Sequence, residues 1–217
     1  MDNSSHGVVV PYSRTVRWDR FFEDLEDQLD SEWEAERAAL DSEAERLRLA
    51  RLGLRDRLRA LAEPDGPELS VDLAGGTDVR GRLGAVGADW IGMTAPAGHA
   101  GIALIPLAAV LSFGMPQTDL LRSARADAAS GPPATLRERM TLGFVLRDIA
   151  RRRVPVTVRL RDGRVLAGTI DRALSDHLDL ALHDPAEPRR ATAVAGVRMI
   201  PLDALAAVRL EQPYASL

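Results

Sequence analysis

The stretch VRLRDGRVLAGTIDRALSDHLDLA, residues 158–181, decides the fold because its pattern has already passed once. Moved back 87 positions, it lies without a gap on residues 71–94, VDLAGGTDVRGRLGAVGADWIGMT. Val158/Val71, Leu160/Leu73, Gly163/Gly76, Gly168/Gly81 and Asp176/Asp89 are identical, and hydrophobic positions coincide elsewhere except where Asp78 faces Val165. Both copies run on to the same ending, Ile105-Pro106-Leu107 and Ile200-Pro201-Leu202. Alternating polarity repeated at a fixed offset predicts one small β unit built twice.

The strands follow from the alternation and the turns. The first copy reads as strands at 69–73, 79–86, 89–94, 102–105 and 109–113, with a Gly75-Gly76 turn after the first. The second reads as strands at 156–160, 165–173, 176–182, 197–200 and 205–210, with an Asp162-Gly163 hairpin signal and a longer loop through Ala195. Gly81 and Gly168, inside long second strands, predict sharp bends that let one strand serve both sides of a small barrel.

Upstream of both copies, residues 18–62 contain no proline, and apolar residues recur at Phe22, Leu25, Leu29, Trp33, Leu40, Ala44, Leu47, Leu54, Leu58 and Leu61. Steps of three, four and seven predict one amphipathic helix of about 65 Å, with Gly53 as a break point. Its charges are segregated. Residues 19–45 hold twelve acids against Arg20 and Arg37, whereas 46–59 hold six arginines against Asp56. Acid first and base last complements the helix macrodipole, and it also makes the helix self-complementary when laid antiparallel on a copy of itself. The stripe Phe22, Leu25, Leu29, Trp33, Leu40 and Leu47 is the candidate self-association surface. The plainer alternative is a solvated helix whose charges only follow the dipole.

The implied organisation is a mobile leader at 1–17, the long helix at 18–63, a first β unit at 67–115, a short helix capped by Thr118 and a linker at 116–134, and a helix plus second β unit at 135–212. Thr135-Leu-Arg-Glu138 has capping-box form, and Leu136, Met140 and Phe144, with Leu142, Val145 and Ile149, follow at helical spacing.

Composition narrows the function. A chain of 217 residues that is 46% hydrophobic has enough apolar material for a sizeable core. The absence of cysteine excludes disulfides, thiolate zinc sites and cysteine nucleophiles. All 28 basic residues are arginine, and the formal net charge of −4 argues against an indiscriminate nucleic-acid coat. No apolar run approaches a membrane span, so a soluble cytoplasmic protein is expected.

The leading helix, the strand ending in Val158-x-Leu160-x-Asp162-Gly163, Gly168-Thr169-Ile170, Asp176-His177-Leu178-Asp179-Leu180 and Arg198-x-Ile200-Pro201-Leu202 together resemble the Sm-like family, small five-stranded SH3-like barrels. The likeness covers 69–113 and 136–210. It implies a mainly β protein with α: a long N-terminal helix followed by two tandem five-stranded barrels, each preceded by a helix and packed together by continuing one sheet into the next. The whole arrangement, with Arg17-Trp18-Asp19 and Phe22-x-x-Leu25-Glu26 opening the helix, also resembles a group of uncharacterised actinobacterial proteins, which implies no activity. The RNA-gripping residues of the family do not carry over. Its asparagine position is Gly92 in one copy and Asp179 in the other, and its Arg-Gly pair is met only by Gly196-Val197-Arg198, in the wrong order.

Candidate chemistry is sparse. Asp176, His177, Asp179 and His183 are metal-ligating types, but strand alternation splits them between faces, and a polar strand edge is the expected reading. Gly75-Gly76 and Gly81 precede strands with no Lys-Ser/Thr, so they fail as a phosphate loop. No nucleophile or acid–base pair stands out, and neither a cofactor, a metal nor a small-molecule substrate is expected. Residues 137–172 hold ten arginines against four acids. Arg147, Arg151, Arg152, Arg153, Arg159, Arg161 and Arg164 form the candidate patch, suited to an acidic protein segment or to RNA phosphates. The expectation is a non-enzymatic scaffold that dimerises through the helix and offers barrel surfaces to other proteins, with an RNA-binding regulator as the alternative.

Overall fold

The computed structural model of the chain describes residues 15–62, 66–95, 101–125, 136–184 and 194–210. Ten strands are formed: β1 (Glu68–Leu73), β2 (Thr77–Val86), β3 (Trp90–Thr94), β4 (Ile102–Pro106), β5 (Val110–Gly114), β6 (Pro155–Leu160), β7 (Val165–Ala173), β8 (His177–Leu182), β9 (Gly196–Pro201) and β10 (Leu205–Leu210). Alternation in sequence becomes alternation in burial. Leu69, Val71 and Leu73 of β1 and Val156, Val158 and Leu160 of β6 are buried, while the residues between them stay partly or fully open.

The internal repeat holds to the level of single hydrogen bonds. Leu69 pairs with Gly81 as Val156 pairs with Gly168, and the β2–β3 and β7–β8 ladders each carry an irregularity at the same place, Leu83/Ala85 and Ile170/Arg172. The Leu107 amide donates to the Asp89 carbonyl at 2.9 Å, and the Leu202 amide donates to the Asp176 carbonyl at 2.8 Å. The turn glycines Gly76 and Gly163 both take positive φ, 72° and 86°.

The ten strands form one antiparallel sheet in the order β5-β1-β2-β3-β4-β10-β6-β7-β8-β9. Two closed barrels were expected, and this is the main correction. Neither copy closes on itself, because β4 bonds to β3 and to β10 of the other copy rather than to β5. The expected continuation of one unit's sheet into the next is present as this β4–β10 seam, where Val208 faces Leu104 and Leu210 faces Ile102.

Two cores sit along the sheet, and each borrows from the other copy. Leu104 of β4 packs with Val208, Val158 and Leu180 in the second copy's core, and Ala207 of β10 packs with Ile105 and Met93 in the first. Burial on both sides of one seam makes the two copies a single cooperative body.

Helices cap this body. The expected single helix after the linker is two pieces, α4 (Leu136–Arg139) and α5 (Leu142–Arg151) in order after α1 to α3, which are placed below. Met140 breaks it: its carbonyl accepts the Trp90 indole N–H at 3.0 Å and the Ala88 amide at 2.9 Å. Asp89 then accepts the Leu142 amide at 2.7 Å, tying the start of α5 to the first copy. Of the two apolar stripes, only Leu142, Val145 and Ile149 enter the core, whereas Leu136 and Phe144 are exposed. Thr135 and the linker at 129–133 lie outside the described residues. The short helix α3 (Gln117–Arg122) begins after Pro116 with no side-chain cap, so the expected Thr118 cap is not formed.

The long helix is shorter than its sequence pattern and divides at Gly53, the expected break point. Residues 1–52 form one unit and 53–217 another. Helix α1 (Thr15–Arg51) is 37 residues, about 55 Å long. Gly53 is extended, at φ −74° and ψ 151°, and α2 (Leu54–Arg59) begins after it. Leu58 and Leu61, part of the same sequence stripe, are buried in the first copy's core. Of the expected leader, residues 1–14 lie outside the described residues, and the helix starts at Thr15.

Candidate interaction site

The seven candidate arginines are spread over a helix, a strand and the turn beyond it. Arg147 and Arg151 lie on α5, Arg152 and Arg153 follow it, Arg159 lies on β6, and Arg161 and Arg164 lie in the turn beyond. A six-residue strand separates the two ends of this set by about 20 Å.

Most of the set is already engaged. Asp148 holds Arg151 and, at 2.9 Å, Arg152; Asp171 holds Arg153 at 2.7 Å. Asp162 accepts from Arg164 Nε at 2.6 Å and from its amide at 3.0 Å. Those two donors, the amide first, keep the Asp162 carboxyl below its usual pKa range, so it stays anionic beside Arg164. Arg161 reaches across the copies to the Ala108 carbonyl. These exposed pairs add little stability, and they use three of the four acids that the sequence count had already set against the ten arginines.

Arg159 faces elsewhere. With Arg209 of β10 and Arg80 of β2 it lines a groove of about 440 Å³ beside the β4–β10 seam, whose floor includes Met93 and Ala207. Arg80 is bridged to Asp78 at 3.0 Å. Arg159 and Arg209 are diagonal neighbours on adjacent strands, since Arg159 pairs with Ala207 and Thr157 with Arg209. The groove brings residues 77–80, 93–95 and 101–103 together with Thr157, Arg159, Ala207 and Arg209, a combination with no signature along the chain.

The two histidines of the cluster have different surroundings, and His183 is not on the polar surface edge expected of it. His183 is buried, with Nε2 on Thr169 Oγ1 and Nδ1 on the Asp184 carbonyl, both at 2.8 Å. His177 pairs with its neighbour Asp176 at 2.7 Å, a bond that lowers the pKa of the Asp176 carboxyl. Among the described residues no group of three or more His, Asp or Glu is arranged to hold a metal.

On α1 the candidate stripe is open. Phe22, Leu25, Leu29, Trp33, Leu40 and Leu47 are 43 to 65% exposed. The sequence stripe did not include Phe21, which is also exposed and stacks edge-on with Trp18 and Phe22, at centroid distances of 6.1 and 5.7 Å. Among the described residues no helix is long and apolar enough to cross a membrane. No family model, curated protein or solved structure matches the chain.

Proposed function

We propose that this chain is a non-enzymatic interaction or scaffold protein of the cytoplasm, self-associating through α1 and presenting its sheet body to protein partners. One observation carries the reading: six large apolar side chains run along 37 residues of helix and remain 43 to 65% exposed in the single chain. A helix with an unburied stripe and no charge-neutral end gains most from a partner that covers the first and complements the second. A second copy covers the stripe, and laid antiparallel with a stagger it brings Arg46, Arg48 and Arg51, the arginines of 46–59 that lie on α1, against the acids of 19–45. The order β5-β1-β2-β3-β4 within each copy supports reading each as an Sm-like unit opened at its β4 side.

Proline in a helix interior costs about 3 kcal/mol and removes a backbone donor. Leu29→Pro with Leu40→Pro is therefore expected to halve the mass of the assembly measured by light scattering. An unchanged mass would remove α1 as the contact.

The seam groove favours a second reading, an RNA-binding regulator. Arg159 and Arg209 share its lining and present two guanidinium groups along one face. Arg159→Glu is expected to weaken binding of a mixed-sequence single-stranded RNA at least tenfold at low salt and to flatten the salt dependence by about one unit of slope. RNA affinity indifferent to both the substitution and the salt would exclude the groove.

A further inference from the structure

The groove beside the β4–β10 seam lies over the first copy's core. Its floor is apolar: Met93 and Ala207 are only 1% and 6% exposed and belong to that core, and Val79 and Ala103 pack against it. In the order of the sheet, β2 bounds the groove on one side and β6 of the second copy on the other. The hairpin turns next to those two strands touch, since a Cβ on Gly75 would come within 2.8 Å of both the Arg161 carbonyl oxygen and the Gly163 amide nitrogen. Arg161 also bonds across the copies through its side chain, to the Ala108 carbonyl. The groove is thus formed by the fold itself, as small-molecule sites usually are, and its volume of about 440 Å³ falls within their range of roughly 300–1,000 Å³.

The charged lining is unbalanced. Arg80, Arg159 and Arg209 share the groove with one acid, Asp78, which Arg80 already bridges at 3.0 Å. Arg159 is half-buried and has no ion pair among the described residues. A cation drawn partly out of water without a counter-charge is unfavourable, and a bound anion relieves it. Arg209 is diagonal to Arg159 on the adjacent strand, a spacing of about 7–8 Å between Cβ atoms that lets both long side chains reach one carboxylate. Nothing aromatic lines the groove, so a nucleobase finds no stacking partner there. RNA phosphates would use the arginines and leave the apolar floor uncovered.

We infer that the seam groove binds a small organic acid, with its carboxylate on Arg159 and Arg209 and a medium-length aliphatic body on Met93, Ala103 and Ala207. The head balances the charge and the body covers the floor. The site lies wholly within the sheet body, so it does not depend on the α1 contact and goes beyond both readings above.

Decanoate, kept below its micelle concentration, is the probe, titrated calorimetrically into the full chain beside acetate and decanol. It is expected to bind at least roughly tenfold more tightly than either, since acetate lacks the body and decanol the charge. Arg159→Gln, at a position with no ion pair to lose, should weaken it at least roughly fivefold. Equal affinity for decanoate and decanol, or undiminished binding by Arg159→Gln, overturns the inference. Methyl-labelled methionine then locates the probe. The Met93 methyl signal, assigned by its loss in Met93→Leu, should shift with decanoate while those of Met140 and Met199 stay in place. Saturable binding that leaves the Met93 methyl unmoved puts the acid elsewhere and sinks the proposal. The Leu29→Pro/Leu40→Pro chain should bind decanoate as the native chain does, and loss of binding there would assign it to the exposed α1 stripe instead. Mixed-sequence single-stranded RNA separates the two uses of the groove: a Met93 shift with RNA and none with decanoate would give the groove to RNA and overturn the small-acid site.

Discussion

Gly168→Ala is expected to destabilise the sheet body by about 3 kcal/mol or more, and Gly81→Ala by a similar amount. Gly168 has φ +157°, and a Cβ there would lie 1.9 Å from the Ala181 carbonyl oxygen and 3.2 Å from the Leu182 Cα. Both neighbours are backbone of β8, so relief requires breaking the ladder in which Gly168 faces Leu182. Gly81, at φ +158°, meets the Thr94 carbonyl oxygen at 2.0 Å in the same way. Against a total stability of about 5–15 kcal/mol, the loss is a large fraction. Gly76 provides the internal control. Its φ is also positive, but nothing lies within 4 Å of its Cβ position, so Gly76→Ala should cost only about 1 kcal/mol. Urea midpoints followed by circular dichroism would separate the two classes, and equal midpoints for Gly168→Ala and Gly76→Ala would refute the steric account.

The second large effect is expected at Trp90. It is fully buried in the second copy's core although it belongs to the first copy, with its indole N–H on the Met140 carbonyl at 3.0 Å. Trp90→Ala removes the largest buried side chain and opens a cavity where α5 and both copies meet, at a cost of about 3–5 kcal/mol. Trp90→Phe keeps most of the volume, and the Met140 carbonyl keeps the Ala88 amide, so the cost should be smaller. Fluorescence distinguishes the sites. Trp18 and Trp33 on α1 are 59% and 64% exposed, so the blue-shifted emission that turns red on unfolding should come from Trp90 and vanish in Trp90→Phe. A Trp90→Phe protein that keeps that signal would place the buried indole elsewhere.

Both effects bear on how the site is built. The seam groove exists because β2, β6 and β10 are held at one junction, and Gly81, Gly168 and Trp90 are what let the strands bend and the copies lock. The groove's arginines therefore depend on residues that carry no charge and touch no ligand.

The arginine patch shows what composition leaves out. A count along the chain set ten arginines against four acids, but it could not say that Asp148, Asp162 and Asp171 hold Arg151, Arg152, Arg153 and Arg164 in particular. Arg209, 50 positions from Arg159 in sequence, is its neighbour on the adjacent strand. The helix stripe was legible down to individual residues, because helical spacing is local. The break at Gly53 was legible too, but an uninterrupted period cannot say that Leu47 is exposed while Leu58 enters a core.

The amino-acid sequence alone determined the duplication, the ten strands, the turn glycines and the amphipathic long helix, since each is written in short-range periodicity and in residues with special backbone freedom. Only the tertiary structure decided that β4 pairs with β10, that neither copy closes, that Trp90 serves the other copy's core, and that β5 and β9 are the outer strands of the sheet among the described residues. Alternation tells which face a strand residue takes, but the backbone amides that choose the neighbouring strand are the same in every residue but proline, so the choice is made by packing.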